Sequence, residues 1–322
     1  MQITPLRNRP QQETVPAPPA TSAPEQSPSP ADRDDTSAAE ACLLFSCPAH
    51  REVIPAVTQF LYGQGADITS LEEHWTDIDE GLLFMRIGFH TRRLRRTRVS
   101  LESAFARCIG APFNMDWRIG YADRKKRVAI LVSRYDHALM ELLWQWSRGL
   151  LPCEMTMVIS NHEDLRPAVE NFGIPFHVVP MTAQTRAEGE RQMLKLLEGK
   201  TDLVVLARYM QILSQDFLGY YPNRVINIHH SFLPAFKGAN PYRQAHERGV
   251  KLIGATAHYV TAELDNGPII EQDVQRVSHR RGIEQLRELG EHIERGTLAR
   301  AVRWHLEDRV IVHDNRTLVF YG

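Results

Sequence analysis

The sequence predicts two α/β domains: a ferredoxin-like βαββαβ unit over residues 41–120, then a parallel α/β sheet domain over residues 121–322. Three observations carry this. The chain has 322 residues, enough for about two domains at ~150 residues each. Its first ordered stretch reads strand, helix, strand, strand, helix, strand. Beyond a polar linker at Gly120–Lys126, short apolar runs alternate with helical patterns, as in a parallel sheet covered by helices on both faces.

Residues 1–40 are rich in Pro, Ser, Ala, Gln and Thr. Prolines at 16, 18, 19, 24, 28 and 30 forbid a regular ladder or helix, and so little apolar surface cannot offset the entropy of ordering. This segment is expected to be a disordered extension. Ala41–Cys47 reads as a strand, Val53–Tyr62 as a helix stopped by Gly63-Gln64-Gly65, and Ala66–Thr76 as a strand. Asp79-Glu80-Gly81 reads as a turn into a strand over Leu82–Phe89. A helix at Val99–Cys108 and a short strand near Asn114–Arg118 complete the first unit.

In the second unit, strands are expected at Arg127–Ser133, Glu154–Ser160, Phe176–Val179, Leu203–Ala207, Val225–Ile228 and Ile253–Val260. Helices are expected at Leu139–Trp146, Leu165–Phe172 and Glu188–Leu197. In such sheets ligands bind beyond the carboxyl ends of the strands.

Bulk composition narrows the function. Hydrophobic residues make up 43% and charged residues 24%, values of a globular protein with a sizeable core. The net charge of -1 argues against nucleic acid as a partner. The local run Arg92, Arg93, Arg95, Arg96, Arg98 reads as a solvated face, with a site for an anion or a neighbouring subunit as the alternative. The four cysteines form no CxxC pair and no zinc-spaced set, so reduced thiols of a cytoplasmic protein are expected and no metal site. No apolar run approaches the ~18 residues of a membrane span.

The chemistry concentrates between Asn227 and Asp265. Asn227 and His229 lie two apart at the carboxyl end of an expected strand, so they face the same side. A carboxamide can donate to a carbonyl oxygen that turns negative during attack. An imidazole can do the same or pass a proton to a leaving nitrogen. Asp265 stands in a loop just before Asn266-Gly267, from where it can hold His229 in one tautomer, favour its charged form or take a proton from water. Each pattern alone is weak; Asn-x-His is more often a core detail and Asp-Asn-Gly a plain turn. His230 is ambiguous, and His258, on an apolar strand, reads as a hydrogen-bonded structural histidine. The set gains weight from Phe232-Leu233-Pro234-Ala235-Phe236-Lys237-Gly238 and Gly254-Ala255-Thr256 beside it.

With Asn227-Ile228-His229, Ser231-Phe232-Leu233-Pro234, His258-Tyr259-Val260 and Asp265-Asn266-Gly267-Pro268, the chain resembles the folate-dependent formyltransferase family over about residues 125–320. Ser133-Arg134-Tyr135-Asp136-His137 and Ala207–Leu213 resemble the formyltetrahydrofolate deformylases within it, and residues 41–119 resemble an ACT regulatory module. The resemblance implies a Rossmann-like formyltransferase-type domain behind an ACT domain. It implies hydrolysis of 10-formyltetrahydrofolate to formate and tetrahydrofolate, with Asn227, His229 and Asp265 catalytic and no cofactor. The substrate-binding set it implies is Met210, Gln211, Ile212 and Leu213, joined by His230, Gly238 and His258. It also implies a homo-oligomer, dimer or tetramer, with glycine or methionine as effector. The chain departs from the module's pattern at Ala49-His50-Arg51-Glu52-Val53, where Glu52 stands in place of a close-approach glycine.

The first strand-to-helix turn distinguishes water from an amine acceptor. A phosphorylated acceptor calls for a glycine-rich turn there. This chain has Arg134-Tyr135-Asp136-His137-Ala138 instead, with Asp136 and His137 either capping the helix or closing the site. Formyl transfer to an unidentified amine and a non-catalytic folate or amino-acid sensor are the alternatives.

Overall fold

The structure, a computed structural model, describes residues 40–77, 80–182, 184–233 and 241–321. The expected unstructured extension lies outside these, except Glu40, which opens the first strand.

The first unit comprises β1 (Glu40–Pro48), α1 (Val53–Gly63), β2 (Asp67–Trp75), β3 (Leu82–His90), α2 (Arg98–Phe105) and β4 (Asp116–Tyr121). Its sheet has the order β2-β3-β1-β4 with every pairing antiparallel, so the expected βαββαβ layout is present. β1 is apolar through Ala41–Phe45 because it is an inner strand covered on both faces. Leu43, Phe45, Val57, Leu61, Ile87 and Phe105 form the core beneath the helices. Thr97 caps α2 by accepting from the Ser100 N–H, and the helix closes through a π turn at Ala106–Gly110.

The second unit contains β5 (Lys126–Val132), α3 (His137–Ser147), β6 (Cys153–Ser160), α4 (Arg166–Glu170), β7 (Phe176–Val178), α5 (Arg186–Leu197), β8 (Leu203–Leu206), α6 (Gln215–Tyr220), β9 (Val225–His229), α7 (Pro241–Glu247), β10 (Leu252–Tyr259), β11 (Ile269–Arg276) and α8 (Ile283–Leu306). Only residues 122–125 separate β4 from β5, so the expected linker Gly120–Lys126 is a four-residue turn with strand at both its ends.

The seven-stranded sheet has the order β11-β10-β9-β8-β5-β6-β7. Its β9-β8-β5-β6-β7 part is parallel. The expectation of a parallel sheet holds for these five strands and is corrected at β10 and β11, which run antiparallel. β10 is as apolar as a buried parallel strand, and an apolar run does not encode direction. The short connection to β11, which the sequence reading did not assign, fixes the antiparallel pairing. One core cluster joins α3 and α8 to the sheet through Leu139, Leu142, Leu298 and Val302; the other lies under α5 and α6 with Met193, Leu197 and Phe217. Helices therefore cover both faces, as expected.

A final hairpin, β12 (Val310–His313) and β13 (Arg316–Val319), was also absent from the sequence reading. Its neighbourhood returns to the first unit, where Ile311 and Phe320 pack on Cys42, Leu44 and Phe84. This covers the face of the first sheet opposite its helices. Cys42, Cys47 and Cys153 are buried and Cys108 is exposed, all as free thiols. No helix among the described residues is long and apolar enough to cross a membrane.

Candidate active site

The antiparallel turn at β10 assembles the site. Its register sets His258 directly opposite Asn227 and Thr256 opposite His229. His229 closes β9 at its carboxyl end, and Asp265 returns from the β10–β11 loop. Asn227, His229 and Asp265, far apart or offset in sequence, therefore meet.

The His229 Nδ1 lies 3.3 Å from the Asp265 Oδ1. A carboxylate only accepts, so Nδ1 donates and Nε2 is the free end of the ring. That Nε2 is buried and has no hydrogen-bond partner among the described residues. Such an atom is rare in a folded protein and fits one kept for a reactant. Asp265 adopts φ 55°, in the left-handed region that suits few non-glycine residues. The hydrogen bond from His229 holds its carboxyl below the usual range, against the opposing effect of burial.

His258 makes contacts that fix its own tautomer. Its Nδ1 donates to the Tyr259 carbonyl at 2.9 Å, since a carbonyl only accepts. Its Nε2 must then accept from the Asn227 Nδ2 at 3.3 Å. Burial pushes its pKa down, which keeps this neutral form. His258 thus aims the Asn227 carboxamide, and sequence reading found it as a histidine with a hydrogen-bonded role.

The segment after His229 is pinned from below. The buried Thr256 hydroxyl donates to the Ser231 carbonyl at 2.9 Å and accepts from the Leu233 N–H at 3.1 Å. Gln272 reinforces it through Nε2 bonds to Thr256 and the Leu233 carbonyl. His230 stacks on His229 with ring centroids 4.9 Å apart. Burial, then the charge of Arg208, pushes the His230 pKa down to about 4, so this ring is neutral beside its neighbour. Gly238 lies outside the described residues.

The proposed substrate loop follows β8 at its carboxyl end. Arg208 turns the chain with φ 61°, and the Met210 N–H donates to the Ser133 Oγ at 3.0 Å. The far end is tied by the Ser214 N–H to the buried Glu190 carboxylate at 2.8 Å. Between these anchors Met210 and Ile212 are exposed and Gln211 is half-buried. Leu213 is buried among Tyr209 and Phe217, so it braces the loop from behind and does not line its open face.

Sequence reasoning missed Glu294. This fully buried carboxylate on α8 accepts from the His137 Nε2 and the Tyr242 hydroxyl, both at 2.8 Å, with the Arg208 Nε at 3.5 Å. Burial favours the neutral acid, but His137, Arg208 and Tyr242 outweigh it and hold the pKa below its usual value. Its signal was position: Leu286, Gly290, Thr297 and Ala301 share its buried stripe. A Cβ on Gly290 would stand 1.9 Å from the Tyr242 hydroxyl, so only glycine admits that ring. His137 is therefore a ligand of Glu294, and Asp136, at the helix N-cap position, makes no capping hydrogen bond. Among the described residues no cluster of His, Cys, Asp and Glu has the makings of a metal site.

Similarity to known proteins gives the fold its class. Residues 126–302 match the family model described as formyl transferase, so the larger domain is a formyl transferase fold. A formyltetrahydrofolate deformylase from Bacillus subtilis (strain 168) is 54% identical over 279 residues, spanning 86% of this chain and 93% of its own. The crystal structure of a formyltetrahydrofolate deformylase from Pseudomonas syringae superposes with a TM-score of 0.84 at 46% identity, covering 87% of this chain and 94% of that one. A glycinamide ribonucleotide transformylase 1 from Symbiobacterium toebii matches less of the chain, 61%, with a TM-score of 0.57 at 33% identity and 94% of its own length covered. The chain belongs to the formyltetrahydrofolate deformylase family.

Proposed function

We propose that the protein hydrolyses 10-formyltetrahydrofolate to formate and tetrahydrofolate, with water as acceptor and no cofactor. The observation that carries this reading is the meeting of Asn227, His229 and Asp265, with the His229 Nε2 left for a reactant. Asp265, ionised, orients water and takes one of its protons. The water oxygen bonds to the formyl carbon, and the carbonyl oxygen becomes negative. The Asn227 amide and the Nε2–H of a protonated His229 donate to it. The C–N10 bond then breaks with its electron pair on N10, which takes a proton from His229. The carboxylic acid left behind ionises to formate.

The pteridine lies against Met210 and Ile212, with Gln211 and the loop backbone meeting its polar edge. Leu213 supports that loop, and His230 and His258 shape the reaction end. The first unit serves as an ACT-type module that pairs copies into a dimer or tetramer in the cytoplasm, with glycine or methionine as effector. Its βαββαβ layout supports this. Titration calorimetry with each amino acid, and light scattering for subunit number, test the module. Heat from neither ligand, or a monomer, removes that part. Incubation with 10-formyltetrahydrofolate alone tests the reaction. Equal amounts of formate and tetrahydrofolate are expected; turnover only after an amine is added refutes hydrolysis.

A further inference from the structure

We propose that the Arg208 guanidinium, held in place by Glu294, is a carboxylate-binding site beside the reaction centre and receives the formate product. This rests on the hydrolytic reading above. Arg208 stands at the carboxyl end of β8, between β5 and β9 in the sheet. Its left-handed backbone, φ 61°, and the Tyr135 ring 4.9 Å from its Cζ fix where the side chain goes. The side chain is 10% exposed, so the charge is almost wholly taken from water.

That burial demands compensation, and the compensation is incomplete. The Arg208 Nε faces Glu294 at 3.5 Å but makes no hydrogen bond. Around it, among the described residues, stand the Glu294 carboxylate on the Nε side and the Tyr135 ring under the Cζ. Glu294 itself is already served by His137 and Tyr242 at 2.8 Å. The guanidinium is therefore oriented by its carboxylate neighbour without being used up by it. A guanidinium edge offers two parallel N–H donors, which match the two oxygens of a carboxylate.

Its position relates it to the chemistry. The charge of Arg208 acts on His230, and His230 stacks on His229. The neutral His230 does not compete for an anion, so Arg208 is the fixed cation of this side of the site. Hydrolysis creates a carboxylate where the substrate had a neutral formyl group, which offers the guanidinium, its Nε unpartnered among the described residues, a partner only after reaction. Arg208 is thus a product-binding residue and Glu294 a positioning residue acting through it.

The test is product inhibition by sodium formate, measured against tetrahydrofolate as a second inhibitor. Arg208→Lys keeps the charge and loses the two-donor edge. The double variant Arg208→Gln/Glu294→Gln removes both buried charges together, so no bare carboxylate is left to unfold the protein. Both are expected to raise the formate inhibition constant about tenfold while that for tetrahydrofolate moves less than about twofold. Glu294→Gln alone is expected to weaken formate by a smaller factor, since the guanidinium loses its anchor. Line broadening of 13C-formate by the protein with tetrahydrofolate bound reads the same site without turnover, so it stands even if the hydrolytic reading fails. Formate constants unchanged in Arg208→Lys and the double variant, or equal loss for both inhibitors, overturn the proposal, as does absence of formate binding to the wild type.

Discussion

Asp265 and Asp308 are built alike and surrounded differently. Both adopt left-handed backbone, φ 55° and φ 50°, and both follow the end of a main element of the second unit. Asp308, in the turn after α8, is saturated: Lys126 Nζ reaches Oδ2 at 2.7 Å and Arg118 Nε lies 3.4 Å from Oδ1. Its carbonyl accepts from Arg86 Nε at 3.1 Å. A Cβ on Gly120 would stand 2.1 Å from its Oδ2, so the strand comes as close as its backbone allows. Arg86, Arg118 and Gly120 belong to the first unit, so Asp308 fastens the two units. Asp265 instead engages His229, whose other nitrogen has no hydrogen-bond partner among the described residues. A polar group with its bonds filled holds structure together; one that orders its neighbour and leaves that neighbour's second ring nitrogen open is equipped for chemistry.

Substitutions separate the two roles, and the largest effect falls on Asp265's side. Asn227→Ala, His229→Ala and Asp265→Asn are each expected to cut formate release by about 10²–10⁴-fold with little change in melting temperature. Wild-type rates in all three folded variants contradict the site. Acid is expected to act next. Burial lowers His230 from 6.5 to about 4 and His305 from 6.5 to about 3. Below pH 6.5 the unfolded chain takes up protons that the native protein refuses, so stability falls as pH drops toward 4 and levels off below the folded values. For His230 alone this amounts to about 3 kcal/mol, read by urea unfolding at pH 7 and pH 4. A flat profile in that window contradicts the neutral buried rings.

Asp308→Asn is expected to cost about 1–2 kcal/mol, because Arg118 is half-exposed and water replaces part of its loss. Calorimetry reads it as a melting shift of several degrees, with formate release per folded molecule unchanged; lost catalysis at full stability reverses the comparison. His258→Phe is the mildest: the Asn227 amide loses its guide, and a roughly tenfold fall in turnover is expected with unaltered stability. No change in rate removes His258 from the site.

The parts legible in sequence were those written in periodicity and in spacing along one strand. Asn227 and His229 were legible as a same-side pair because two residues two apart on one strand share a face whatever the sheet does. Asp265 was found as a loop carboxylate before Asn266-Gly267. The direction of β10 was not legible, since Ile253–Tyr259 reads the same in either sense, and with it went the facing of His258 and Asn227. Glu294 was hidden because a glutamate on a charged helix ordinarily faces water. Only its placement between Gly290 and Thr297 separates it from Glu284, Glu288 and Glu291. The clasp at Asp308 joins residues almost two hundred positions apart, a relation that no local pattern carries.

The most direct measurement compares formate release from 10-formyltetrahydrofolate by the wild type, Asp265→Asn and Asp308→Asn, each normalised to folded protein and with no amine added. Formate from the wild type and Asp308→Asn, with release by Asp265→Asn lower by two orders of magnitude or more, about the range for a lost catalytic group, is the predicted result. Equal release by the two aspartate variants, or none from the wild type, contradicts it.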